Sequence, residues 1–409
     1  MSTLKQHFEP TSSLKRWALI FTTVGVLTLL IGLFSQGFSS DPHKQTHFWG
    51  TLMYNSIFWL LVTNAAMFFI CIITLAWGGF LQSFRRVAEA ITTLVPIFGA
   101  ITFVVLMYQI FTHNHHIYHW LDKEAVEADP ILKGKSGFLN PTFYTIWSFL
   151  TIALWSFLGY RMRKLSSEAD VEQMTFETAK SYIWRNTVSA SLFIVWFALT
   201  ATSTIHWLWT MSIDPHWYST MFSWYNFAST FVSGVSLIAI WVLYLKKHDY
   251  LELTNQEHVH DLGKFMFAFS IFWCYLWFSQ FMLIWYANIP EETVYFYQRM
   301  HGPYKLFYYL NLIINFLLPF LVLMKRAAKR NYNLVIFMAC LLIFGHWIDF
   351  YQQFMGSLQK EEANMGWLDL GILCFFIGLI IFGVIRALKS KPLIPVYHPF
   401  IKESIIHQV

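Results

Sequence analysis

Charged side chains are scarce in this sequence. Asp, Glu, Lys and Arg make up 12% of its 409 residues, whereas an ordinary soluble domain carries about 25%. Aromatic residues reach 20%, and the apolar types together reach 56%. This composition argues against a soluble domain of the same length and is typical of a protein embedded in a membrane.

Cysteine is also rare, and its spacing does not suit metal chemistry. The four cysteines, Cys71, Cys274, Cys340 and Cys374, lie far apart, and no C-x-x-C pair occurs. Their isolation excludes a disulfide framework and a cysteine-ligated cluster. The sequence also lacks a Gly-rich phosphate loop, a serine-hydrolase elbow and a zinc-protease motif. We therefore predict that this chain binds no metal and no redox cofactor itself.

Ten long apolar stretches dominate the sequence. Each is close to the roughly 20 residues that an α-helix needs to cross a hydrocarbon core about 30 Å thick. Continuous apolar runs favour helices over a β-barrel, whose strands alternate between apolar and polar residues. We predict an all-α polytopic membrane protein with spans at residues 17–37, 54–78, 88–111, 140–163, 183–206, 221–245, 262–287, 304–324, 333–351 and 367–388.

Lys and Arg are distributed unequally between the two sides that these spans define. The side that holds both chain ends carries 21 of the 28 basic residues, and the other side carries seven. Because basic loops remain in the cytoplasm, we predict that both termini are cytoplasmic. The net charge of +5 then reflects this topology and contact with anionic lipids. No basic patch interleaved with aromatic residues indicates binding to nucleic acid.

Three short sequence motifs of spans 2–5 recur in the same order in spans 6–9. Parallel repeats of helix bundles often hold functional sites within or between the units. We predict one membrane domain over residues 1–409, with four-helix units at 47–210 (spans 2–5) and 217–352 (spans 6–9). Spans 1 and 10 lie outside both units, and residues 389–409 form a cytoplasmic Pro-containing tail that fits a partner's groove. The matches are Tyr54-Asn55 with Tyr225-Asn226, the proline-led starts at Pro141 and Pro303, and His206-Trp207 with His346-Trp347.

Ionisable and amide side chains within spans are costly unless they face the protein interior or water, so they indicate function. His346 and Asp349 are three residues apart in span 9 and share a helix face. Such a pair could take the proton of a quinol, carry protons without a quinol, or form a structural pair near the headgroups. The further candidates for a proton or quinol site are Tyr108, His206, Gln280 and Tyr286.

Two of the candidates have plainer interpretations as well. His206 precedes Trp207, which suggests an interfacial histidine close to water, and no deep pair of histidines predicts a bound haem. Glu89, at the start of span 3, is a candidate entrance to a proton path through the Asn and Ser residues of spans 2, 6 and 8. The same polar residues could serve only as hydrogen-bonding contacts between helices.

Two segments resemble a known family. FMLIWYANIPEE at residues 281–292 and KPLIPVYHPFIKES at 391–404 are similar to the NrfD/PsrC-like integral membrane subunits of bacterial alternative complex III, in particular the second such subunit. The resemblance extends over essentially the whole chain. It implies a cofactor-free scaffold, and a candidate proton path, in a quinol:cytochrome c oxidoreductase of the bacterial inner membrane.

The same resemblance implies a set of partners. They are a sister NrfD-like membrane subunit, which is the better candidate for oxidising quinol, and outer-face subunits that carry the iron–sulfur clusters and the haem of cytochrome c. Either cytochrome c or a terminal oxidase accepts the electrons.

The alternative function class is a stand-alone transporter or channel. Transporters built from repeats usually break their helices at corresponding midplane positions. Pro96 in span 3 and Pro319 in span 8 do not correspond, which favours the subunit of a redox complex.

Overall fold

A computed structural model describes residues 5–408, which form helices and no strand. Ten of the helices are long and apolar enough to cross a membrane, so the chain is an all-α multi-pass membrane protein, as predicted. They are α1 (Ser12–Gly37), α2 (Pro42–Leu75), α3 (Arg85–Phe111), α4 (Pro141–Asp170), α5 (Phe176–Ile213), α6 (Met221–Lys247), α7 (Gln256–Ala287), α8 (Lys305–Leu323), α9 (Tyr332–Leu358) and α10 (Trp367–Lys389).

Several helices are longer than their apolar runs. Helix α2 begins at Pro42 rather than at residue 54, because Asp41 caps it by accepting a hydrogen bond from the His43 amide and Pro42 suits the first turn. Helix α9 continues to Leu358 rather than ending at 351. His346 therefore lies 12 residues, or about 18 Å, from the end of its helix, whereas it is only five residues from the end of the predicted span at residue 351.

Helices α2–α5 and α6–α9 form two rings of four. Within the first ring α2 contacts α3 and α5, and α4 contacts the same two helices. The second ring repeats this order, with α6 against α7 and α9, and α8 against the same pair. The rings meet where α2 packs against α6 and α9, so these three helices supply a large share of the buried core.

Helices α1 and α10 pack tightly against each other outside the two rings and rest on α2 and α3. Glycines allow the close approach. A Cβ added to Gly25 would lie 2.2 Å from Cα of Phe375, and one added to Gly371 would lie 2.2 Å from Cγ2 of Thr28. Small residues of this kind let two helix backbones approach closely in lipid, where packing drives association.

Three helices contain irregular turns. A π-helical turn occupies Leu33–Gly37 in α1, Thr200–Thr204 in α5 and Ile313–Leu317 in α8. Helix α3 is interrupted between Thr92 and Val95, where Pro96 follows in the first turn of its second part. The breaks in α5 and α8 fall at different places in the two rings.

Both described chain ends lie on the same side of the bundle, which we call the terminal face (residues 5–11 and 390–408); the opposite side is the loop face. The Leu393 amide donates to the Gln6 carbonyl at 2.9 Å, and Oγ of Ser404 donates to the Phe80 carbonyl at 2.9 Å. Leu393 and Ile394 are buried. The prediction that this tail extends into a partner's groove is therefore wrong for most of its length, because its apolar residues pack on the chain itself.

Candidate functional site

A cluster of polar side chains is buried inside the second ring, around the carboxylate of Asp349. Tyr225 of α6 donates to Oδ1, as do Asn311 of α8 at 2.8 Å and Gln352 of α9 at 3.0 Å. Trp273 of α7 donates through Nε1 to Oδ2 at 3.3 Å. Every helix of the ring thus supplies at least one residue, and we call this set the Asp349 cluster.

The hydrogen bonding suits an ionised carboxylate held without a cation. Asp349 is fully buried, and all four of its partners donate. A deprotonated carboxylate offers about four acceptor sites. A protonated carboxyl group would instead add a hydroxyl hydrogen, which is a further donor, to surroundings that already consist of donors. Within residues 5–408, Asp349 makes no salt bridge. A buried charge balanced only by neutral dipoles is costly, which is typical of a group that takes up and releases a proton.

His346 lies one turn from Asp349 on the same interior face. Its Nδ1 is 3.0 Å from Oγ of Ser229, and its ring meets the Trp273 ring edge-on with centroids 5.5 Å apart. Its Nε2 is buried and has no hydrogen-bond partner among the described residues. The structure therefore brings the predicted pair together through Trp273, and it leaves one imidazole nitrogen available to a water molecule or a small ligand.

Helix α8 places two asparagines beside this pair, Asn311 just before its π-helical turn and Asn315 within it. Asn315 donates to Oδ1 of Asn311, which in turn donates to Asp349. Gly345 of α9 makes room for them, because a Cβ there would lie 2.2 Å from Oδ1 of Asn315. The hydrogen-bonded line from Asn315 to Asp349 thus depends on the absence of a side chain at residue 345.

The other predicted residues are placed differently. Tyr286, next to the end of α7, is 84% exposed and does not reach the cluster. Tyr108 lies in the first ring, where it stacks on Trp49 at 3.8 Å. Gln280 is buried on α7, seven residues and hence about two turns from Trp273, on the face that points into the second ring.

His206 is not an interfacial histidine. It is 1% exposed, and it follows the π-helical turn of α5 and meets the Phe222 ring edge-on at 6.5 Å. Trp207 and the end of the predicted span at residue 206 favour contact with water, but α5 continues to Ile213 and the His206 side chain is buried. It is separate from the Asp349 cluster, to which no hydrogen bond of the described chain connects it.

Glu89, the candidate proton entrance, is part of a buried ion network on the terminal face. Its Oε1 is 2.8 Å from Nε of Arg85, and its Oε2 is 2.7 Å from Nη1 of Arg86. Arg86 also reaches Asp170 of α4 at 2.6 Å, and Arg85 reaches Asn186 of α5 at 3.3 Å. Both carboxylate oxygens are therefore occupied by cations that join three helices of the first ring.

A second buried aspartate was not predicted from the sequence. Asp369, at the start of α10, accepts hydrogen bonds from Tyr54 at 2.9 Å and Thr51 at 3.2 Å. Tyr54 and Tyr225 open the matching Tyr-Asn pairs of the repeat, and each donates to a buried aspartate. That pairing is the signal that could have identified Tyr225, whereas nothing distinguished Trp273 among 19 tryptophans.

No grouping of three or more His, Cys, Asp or Glu side chains within residues 5–408 could hold a metal ion. The four cysteines are free. The sequence matches no protein-family model and none of the curated proteins.

Proposed function

We propose that this chain is a cofactor-free integral membrane subunit of a quinol-oxidising respiratory complex of the alternative complex III type. It supports quinol:cytochrome c electron transfer as a scaffold and carries protons through its second ring. The observation that carries the proposal is the Asp349 cluster, a buried carboxylate and imidazole within an apolar helix bundle.

The cluster has polar continuations towards both faces. From His346, the serines at 229, 233 and 236 follow one side of α6 towards the terminal face, and Oγ of Ser233 donates to the Ser229 carbonyl at 2.9 Å. Towards the loop face, Gln352 and Gln353 follow Asp349 and are buried. Water molecules between such groups would complete a proton path, with Asp349 and His346 as the titrating members.

The redox chemistry belongs to partners under this proposal. A sister NrfD-like subunit oxidises the quinol, and iron–sulfur and cytochrome c subunits on the loop face accept the electrons. This chain contributes the membrane anchor and the transfer of protons across the low-dielectric core.

Purification of the tagged chain from its native membranes tests this assignment. We expect subunits carrying iron–sulfur clusters and c-type haem to copurify, together with quinol-dependent reduction of cytochrome c. After dissociation of the partners, this chain should hold neither haem absorbance nor iron. A chain that purifies alone from gently solubilised membranes and transports a solute in vesicles would instead be a stand-alone transporter.

The location of the two faces is part of the same proposal. The excess of Lys and Arg on the terminal face supports the proposal that this face lies in the cytoplasm, with the chain in a bacterial inner membrane. Two reporters fused to the C-terminal end of the chain test this orientation. A reporter that is active only in the cytoplasm should be active, and a reporter that is active only in the periplasm should be inactive. The reverse result would contradict the orientation and would put the redox partners on the wrong side.

A further inference from the structure

A groove opens on the terminal face between α3, α4 and α10, in a part of the molecule remote from the Asp349 cluster. It encloses a cavity of about 610 Å³. One wall of the groove is apolar and includes Leu94, Pro96 and Ile97 of α3. Gly159 of α4 and Gly383 of α10 also line it, and a Cβ added to Gly159 would meet nothing within 4 Å. The groove thus continues from the terminal face into the apolar depth of the bundle surface.

The rim of this groove is strongly basic. Arg163 and Lys164 lie near the terminal-face end of α4, Arg386 lies in the last turn of α10, and Lys391 follows α10. No Asp or Glu is among the residues that line the groove. Among residues 5–408 these four cations form no salt bridge, although Arg86 nearby is paired with Glu89 and Asp170.

The cations are held in place by neutral partners. Nη2 of Arg163 donates to the Ala387 carbonyl at 3.2 Å and to Oγ of Ser390 at 3.2 Å, and Nζ of Lys391 donates to Oγ of Ser167. Burial, followed by the charges of Arg86 and Arg163, lowers the pKa of Lys391. The rim cations therefore have no carboxylate in direct contact, and Glu89 and Asp170 act on Lys391 only from a greater distance.

We propose that this groove binds one anionic phospholipid, with its phosphate among Arg163, Arg386 and Lys391 and an acyl chain along the apolar wall. Arginine and lysine donors recognise phosphate oxygens strongly, and basic pockets between membrane helices bind anionic headgroups. The apolar wall favours a lipid over a free phosphate ion, because the ion would leave that surface unfilled. Bound there, the lipid would join α3, α4 and α10, and hence the first ring to the α1–α10 pair.

Lipid retention by the full chain, purified with any subunits that accompany it, tests the site. In nanodiscs that contain phosphatidylglycerol and phosphatidylcholine, we expect mass spectrometry of the intact protein to find phosphatidylglycerol retained preferentially. Replacing Arg163→Gln together with Lys391→Gln should weaken that retention by roughly fivefold for each charge removed. The control Lys180→Gln removes an exposed cation from the same face outside the groove and should retain phosphatidylglycerol as the unmodified chain does.

A second variant tests the acyl-chain part without removing charge. Gly159→Leu fits into open space, so the fold should be kept while the groove is filled, and phosphatidylglycerol should be lost. Unchanged retention in Gly159→Leu, or equal retention in the double variant and the control, would overturn the proposal. Inorganic phosphate can also be tested with the chain in nanodiscs of pure phosphatidylcholine. If the chain binds that phosphate as strongly as it retains phosphatidylglycerol, the rim is a site for free phosphate and the proposal is overturned.

Discussion

Proton release coupled to quinol-dependent reduction of cytochrome c should fall by roughly 10²-fold when Asp349 is replaced by Asn, the lower end of the range for loss of a proton-transferring group. The substitution keeps the shape of the side chain but removes its ability to ionise. It also turns an amide donor towards Tyr225, Asn311, Gln352 or Trp273, all of which donate to Asp349 in the structure. Proton release is measured with a pH-sensitive dye in vesicles that contain the purified complex.

Asp369→Asn is the matched control for this experiment. Asp369 is also a buried aspartate that accepts from a tyrosine, but it lies at the start of α10 outside the second ring. We expect it to leave proton release close to normal, while the subunit composition of both variants is verified by mass. If Asp349→Asn and Asp369→Asn release protons equally well, the Asp349 cluster is structural and this chain is a scaffold only.

Replacing Glu89 with Leu should destabilise the first ring by about 3–5 kcal/mol, the usual cost of leaving a buried charge without its partner. Glu89 is the shared partner of Arg85 and Arg86, and both guanidinium groups are nearly inaccessible. Arg86 would keep Asp170, but Arg85 would keep only the amide oxygen of Asn186. Thermal unfolding of the purified protein and its yield in membranes measure the loss.

Glu168→Leu provides the comparison on the same face. Glu168 pairs with Arg185 at 2.6 Å, and both side chains are more than 40% exposed, so its loss should cost no more than about 1 kcal/mol. Equal unfolding temperatures for the two variants would contradict the structural role of Glu89. Glu89→Gln separates this role from that of a proton entrance, because only an entrance would lose proton release while assembly is preserved.

The number of spans could be predicted from the sequence because lipid imposes a minimum length on every apolar helix. The helix ends could not be predicted, because polar residues near them, such as Thr46 and Thr51 of α2 and Gln352 and Gln353 of α9, are buried rather than exposed to water. A hydropathy window cannot distinguish those two environments. For this reason the sequence favours an interfacial position for His206 and allows one for His346, although both side chains are buried.

The pair His346–Asp349 could be predicted because one helix face suffices to join residues three apart. Tyr225, Trp273 and Asn311 could not be added to it, because their positions depend on how α6, α7 and α8 are rotated in the ring. Tyr286 illustrates the problem. It is six residues after Gln280, which at 3.6 residues per turn places it on a different side of α7, on the outer surface.

Helices α1 and α10 are neighbours in space, yet eight other spans separate them along the chain. In a soluble protein, an apolar helix such as α1 would have to be shielded from water until its partner helix had been synthesised. Contacts between segments so distant in sequence also form slowly. In a bilayer, each helix is already stable before it associates. Helix α1 can therefore remain inserted in the bilayer as a separate helix until α10 has been synthesised. The order of synthesis then does not limit which spans become neighbours.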